Sequence, residues 1–377
     1  MKTRLVLPLI VFVGLKVSPT PLALAGAIQA ASTDRTDVLN AIQQAVAVGD
    51  RVVIPAGTST WTAAITITNA IFIQGNGTNE ATGRTMIING QSSANPAVGD
   101  NPLFTVALDV QARLDISGIY FRDASGKDST AILIPGSGIF ERIVVIHNNM
   151  FEGFYFSVMN NGAWGLQYSN HHLNNDWNIR VRGFNTVAVL PVPNPESYKW
   201  SSTNYWVMED ELYQQVGLTR DRYFVDTEYP ANYIVRHCRF ECNRARNVVL
   251  DAFDMHGENQ NAERVPLGPV IYNNTFHYTG NNQVNDPRIC DIRGGANTLI
   301  YSNTVLGAGI DTAKVHWRDD PSTPNFLVTN SYAWQNSSPS GPWSYFFLNG
   351  VTKGRHVLLS KPGDFRQLPY PHPLRTH

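Results

Sequence analysis

The sequence predicts an all-β protein: a single-stranded right-handed parallel β-helix with an N-terminal capping α-helix and an irregular C-terminal tail. Three observations predict it. Helical periodicity is confined to one early segment. A short apolar motif containing asparagine then recurs at a solenoid spacing. Between its copies the chain alternates short β-type runs with Gly, Asn and Pro.

The chain of 377 residues opens like a secretory signal. Lys2 and Arg4 precede an apolar run from Leu5 to Leu15, and Ala23-Leu24-Ala25 is a small-x-small cleavage site. That run is far shorter than the ~20 residues a bilayer span needs. Residues 1–25 are therefore expected to be removed from a secreted, extracellular or periplasmic protein, with no membrane insertion. Formal net charge is −1 and charged residues make up 16%. No basic stripe is present for nucleic acid to follow. Three cysteines, Cys238, Cys242 and Cys290, are an odd number and favour buried free thiols over a bridged framework.

Val38, Ile42, Ala45 and Val46 share one face of a helix, with Thr33 or Asp34 as cap and Gly49 as stop. Residues 26–50 are expected to form this capping segment. Strand-type runs follow at Arg51–Pro55, Ala64–Thr68 and Ile71–Gln74. The motif apolar-apolar-x-x-Asn-x-apolar then recurs. Aligned on the asparagine position, its members are Asn149, Asp210, Cys238, Asn274, Asn303 and Asn330. The usual step is roughly 27–29 residues, which is a solenoid period. Stacked amides at this bend are expected to bond along the column. The β-helix is expected over 51–335, with a loop-rich aromatic insertion around 160–225 and an irregular tail over 336–377.

The Ile/Val–x–x–Asn–x–Phe register, the opening Gly49-Asp50-Arg51-Val52-Val53-Ile54-Pro55-Ala56-Gly57-Thr58 and the segment Ile73-Gln74-Gly75-Asn76-Gly77 together resemble the pectin-lyase-like superfamily. The resemblance covers roughly residues 33–335. It implies the right-handed β-helix. It does not select a chemistry, because this superfamily hosts lyases, hydrolases, epimerases, esterases and phage tailspikes. Polygalacturonase-like hydrolases use a His-Gly pair, which His256-Gly257 matches, but their Asn-Thr-Asp and adjacent Asp-Asp are absent here.

A second alignment places Val225-Asp226-Thr227-Glu228, Phe253-Asp254-Met255-His256, Cys290-Asp291-Ile292-Arg293 and Val315-His316-Trp317-Arg318 on equivalent strands. Alternate strand residues share a face. Asp226, Asp254, Asp291 and His316 are then expected in one outward column, and Glu228, His256, Arg293 and Arg318 in the next. Stacked carboxylates repel, which raises a pKa or recruits a cation. Calcium among Asp226, Asp254 and Asp291 is the expected cofactor, if any, since hard cations take oxygen ligands. Arg and His beside the acids suit a uronate carboxylate and proton relay. His256, Asp254, Asp291 and Arg293 are the catalytic candidates. Arg318, His316, Glu228, Trp200, Trp206 and Tyr223 are the substrate-binding candidates. The expected partner is a polysaccharide or cell-surface glycan. The expected activity is lyase-type cleavage of an acidic polysaccharide. A glycoside hydrolase using paired aspartates and a non-catalytic glycan-binding adhesin are the alternatives. The same polar columns also suit an ordinary solvated sheet face.

Overall fold

The computed structural model describes residues 26–92, 101–108, 113–125, 129–136, 143–182, 205–216, 224–228, 231–243, 252–256, 268–278, 288–293, 298–307, 314–318, 328, 330–363, 365, 367 and 369–375. The expected signal and two expected binding aromatics, Trp200 and Tyr223, lie outside the described residues.

One coil shows how the rest are built. Trp164–Tyr168 lies in a first sheet, His171–Leu173 in a second and Trp177–Arg182 in a third. Each strand pairs with its equivalent one coil before and one coil after. Repetition of this unit yields sheets of 12, 11 and 10 strands among the described residues. The pairing is parallel except where Ser337–Ser338 meets Gly341–Pro342. This is a right-handed parallel β-helix. The coil at 164–182 is regular, and the aromatic stretch around 160–225 carries strands among its described residues, while 183–204 and 217–223 lie outside them. Its aromatics hid the period: Trp164 takes the position of Ile143 one coil earlier, Tyr168 that of His147 and Trp177 that of Phe156.

The capping helix, α1, spans Arg35–Gln44 and buries Val38, Ala41 and Ile42 against the first coil. It shields a strand edge that would otherwise be open. It ends a turn earlier than Gly49, and Val46 is 78% exposed rather than core-facing. The cause is Asp50. Its carboxylate accepts from the N–H groups of Ala47 and Gly26, both at 2.8 Å, and folds the chain back. Those backbone bonds also hold the Asp50 carboxyl below its usual range. Asp34 occupies the N-cap position but accepts from Ser59 Oγ at 2.6 Å instead of capping.

The bend between first and second sheets takes two residues. The first is left-handed: Asn148, Ser169, Asp210, His237, Asn273, Ser302 and Gln335 all have φ near +55°. The second carries the ladder. Asn149 donates to Asn170, Asn170 to Glu211, Asn274 to Asn303 and Asn303 to Asn336, with Nδ2–oxygen distances of 2.9–3.2 Å. Cys238 continues the column through its backbone N–H. Asp210 and Asn330 are therefore corrected. Asp210 takes the left-handed position, and Asn330 precedes the strand Ser331–Trp334. Glu211 and Asn336 hold the ladder, and Asn170 is an additional rung.

Asn303 bonds Ile271 O, Asn336 Oδ1, and the N–H and Nδ2 of Asn274. Asn303→Ala strips partners from buried groups and is expected to cost about 3 kcal/mol in urea denaturation. An unchanged midpoint would remove the ladder from the list of stabilising features.

Inside, aromatic rings of the second sheet stack coil on coil. Phe121, Phe151, His172, Tyr213, Phe240 and Phe276 follow one another at 4.6–5.2 Å. This column is the spine of a continuous interior core.

The chain past residue 335 is more regular than expected. Ser344–Leu348 adds a strand to the third sheet and Val357–Leu358 one to the first. The last residues then run back over the outer face of the first sheet. That face is a second apolar core of Val145, Leu166, Val207, Ile234, Val270 and Leu299. Beside it stands a column of His147, Tyr168, Glu209, Arg236, Tyr272, Tyr301 and Trp334. Phe365 packs edge-on against Tyr301, and Tyr370 stacks on His237 at 3.8 Å. Arg236 donates to the Pro369 carbonyl, and Arg375 bonds both Glu209 and Asp210. Prolines 369, 371 and 373 keep this strap out of the sheet. Side chains fasten it instead.

Candidate functional site

The outer face of the third sheet holds the charged column. Strand pairing sets Asp226 beside Asp254, Asp254 beside Asp291 and Asp291 beside His316. The same pairing sets Glu228 beside His256 and Arg293 beside Arg318. Val225, Phe253, Cys290, Val315, Thr227, Met255, Ile292 and Trp317 alternate with them and are buried. Alternation along each strand and insertion of loops between strands explain why this register is legible: loops change the step but not the parity of a strand.

Burial is where the structure departs from expectation. The column was expected to face water, yet Asp226, Asp254 and Asp291 are at most 1% exposed. A buried carboxylate needs a partner. Arg180 bonds Asp226 from the preceding coil. Arg293 Nη2 donates to both oxygens of Asp254, at 2.7 and 2.8 Å, and its Nε lies 3.5 Å from Asp291. Guanidiniums thus stand against all three stacked acids. Among the described residues, no group of three His, Cys, Asp or Glu side chains is placed to hold a metal.

Two residues of this face were missed. Arg180 lies over the rings of Phe156 at 4.6 Å and Trp177 at 4.9 Å, so the column begins one coil earlier with an aromatic-clamped guanidinium. Phe346 extends it one coil later. The alternation continues through both strands and could have found them. Trp206 is corrected: it is 1% exposed and belongs to the interior core, so it cannot touch a ligand on the surface. Its strand faces the first sheet's interior, while a tryptophan in an unassigned stretch reads equally well as surface or core.

The three cysteines are free and buried. His171 and His172 take opposite faces. His171 bonds Gln214 on the outside, and His172 is fully buried within the aromatic spine. Among the described residues, no helix is long and apolar enough to cross a membrane.

Fold and site together define a right-handed parallel β-helix with an ionic outer face on one sheet and a strapped apolar face on another. No family model matches the chain, and no curated protein matches it. Solved structures of similar shape exist at low identity. A Geobacillus virus E2 protein, ORF18, is 13% identical with a TM-score of 0.45, over 86% of this chain and 58% of its own. The chain thus spans little more than half of that protein. An alginate lyase from Paenibacillus sp. FPU-7 is 13% identical with a TM-score of 0.40, over 88% and 99%. A DFA-IIIase from Arthrobacter chlorophenolicus A6 is 12% identical with a TM-score of 0.47, over 83% and 81%.

Proposed function

We propose that this is a secreted carbohydrate-active protein that cleaves an acidic, uronic-acid-containing polysaccharide by β-elimination on the outer face of its third sheet. One observation carries the reading. A single strand register brings Asp254, Asp291, Arg293 and His316 together, with His256 two residues along the Asp254 strand. Elimination needs a cation against the uronate carboxylate, a base for the C5 proton and a proton for the departing C4 oxygen. The C5–H electrons form the new double bond as the C4–O bond breaks. Arg293 is the cation, and Asp254 and Asp291 are its positioning residues. His256 is the base and returns the proton it takes to the departing C4 oxygen, and Arg318, His316 and Glu228 complete the binding surface. A hydrolase reading is less supported, because it needs two carboxylates available for acid and base work, whereas Asp226 and Asp254 are each engaged by a guanidinium.

The test is release of unsaturated uronides from a panel of polyuronates. Arg293→Lys keeps the charge against buried Asp254 but loses the planar fork. It is expected to lower kcat/KM about a hundredfold, the scale of one lost electrostatic stabiliser. His256→Ala is expected to abolish release. If no polyuronate is cleaved, the lyase reading falls. If glycan binding also survives replacement of Asp254, His256 and Arg293, the protein is an adhesin using another face.

A further inference from the structure

Among the described residues, Ser344–Leu348 is the last strand of the third sheet and forms its edge. Such edges are ordinarily blunted with charge, proline or a bulge. This one is not. Tyr345 and Phe347 pack against the interior core, while Phe346 and Leu348 point outward, each 40% exposed. The register sets Phe346 directly beside His316, and His316 beside Asp291. The rings of His316 and Phe346 meet edge to face, with centroids 5.2 Å apart at 64°. The charged column therefore ends in a partly exposed aromatic ring with an imidazole against it.

We propose that Phe346, with Leu348 beside it, is a stacking platform for one pyranose ring of the bound polysaccharide. The proposal rests on the reading of the third sheet's outer face as the glycan site, and deepens it. A pyranose presents an apolar C–H face and a polar rim. Phe346 receives the face, and His316 meets the hydroxyl or carboxylate on the rim. Neighbouring coils are about 4.8 Å apart, close to the advance of one sugar along an extended chain. Arg293, His316 and Phe346 then stand at successive sugar positions. The position of Phe346 in this column, at its exposed end, argues for a glycan over other occupants of an apolar edge.

Phe346→Ala and Phe346→Trp separate the possibilities, measured by titration calorimetry with uronate oligosaccharides of increasing length and by sedimentation velocity. Phe346→Ala is expected to weaken binding at least tenfold for the longer oligosaccharides and not for the shortest. Phe346→Trp is expected to restore it. If the wild type binds glycan and Phe346→Ala binds it equally, the platform is overturned while the site reading stands. If the wild type binds no glycan, both fall. If the wild type is a dimer that Phe346→Ala dissociates, the edge serves a second copy and the platform is likewise overturned.

Discussion

Replacing Glu211 with glutamine is expected to flatten the alkaline side of the protein's stability profile. His172 and Glu211 are shut inside the β-helix, with His172 Nε2 2.6 Å from Glu211 Oε2. Ser157 spends its proton on the Asn178 carbonyl, so His172 Nδ1 donates to Ser157 Oγ across 2.8 Å. Asn170 donates to the other Glu211 oxygen. Burial drives the imidazole down to about 3 and pushes the Glu211 carboxyl well above its usual range. The two shifts run in opposite directions and leave the folded pair sharing one proton.

The unfolded chain behaves differently. Its histidine titrates near 6.5 and its glutamate near 4.5, so it binds two protons below 4.5, one between these values and none above 6.5. His172, with a depressed pKa, loses stability as pH falls below 6.5 towards 3. Glu211, with a raised pKa, loses stability as pH rises above 4.5. Between 4.5 and 6.5 the two slopes cancel, and the pair's contribution is greatest there. Outside that window it declines by about 1.4 kcal/mol per pH unit. Glutamine keeps both bonds, accepting from Asn170 and donating to His172, but carries no titrating proton. As pH rises above 6.5 the wild type should lose stability relative to Glu211→Gln, by at most about 1.4 kcal/mol per pH unit. Parallel denaturation profiles for the two proteins would refute the shared proton.

Arg236→Ala is expected to cost about 3–5 kcal/mol, the scale of a broken buried ion pair. Arg236 is fully buried and bonds Glu209 at 2.7 and 2.8 Å, the Tyr272 hydroxyl at 2.8 Å and the Pro369 carbonyl at 2.7 Å. Its loss leaves Glu209 buried with Arg375 as its remaining cation among the described residues and unhooks the strap at its middle. Because coils of a solenoid can unfold separately, the readout is twofold: the urea midpoint and the rate of proteolysis within residues 359–375. Both should change together. A fall in midpoint with an unchanged proteolysis rate would show that the strap is held without Arg236.

The two registers differ in how far the sequence carried them. The third-sheet alignment of Asp226, Asp254, Asp291 and His316 matches the observed pairing residue for residue, because strict alternation survives any loop length. The asparagine ladder was legible only where both motif halves are conventional. It slipped at Asp210, where a glutamate replaces the amide, and at Asn330, where Ser331-Tyr332-Ala333-Trp334 lacks the aliphatic start. Asn170 was hidden for the same reason behind Trp164-Gly165-Leu166-Gln167-Tyr168. At Gly165 the backbone of the neighbouring coil passes so close that a Cβ would lie 1.9 Å from the Val144 carbonyl oxygen. That requirement carries no period.

By itself, then, the sequence determined the parallel β-helix, its capping helix and the order of side chains up the third sheet. These follow from residue period and parity, which are properties of neighbours along the chain. Only the tertiary structure decided that the acid column is buried against Arg180 and Arg293, that His172 and Glu211 share a proton in the core, and that the tail straps Glu209 from more than 160 residues away. Burial and long-range pairing depend on what covers a face, and the local pattern of a strand is the same whether its outer face meets water or protein.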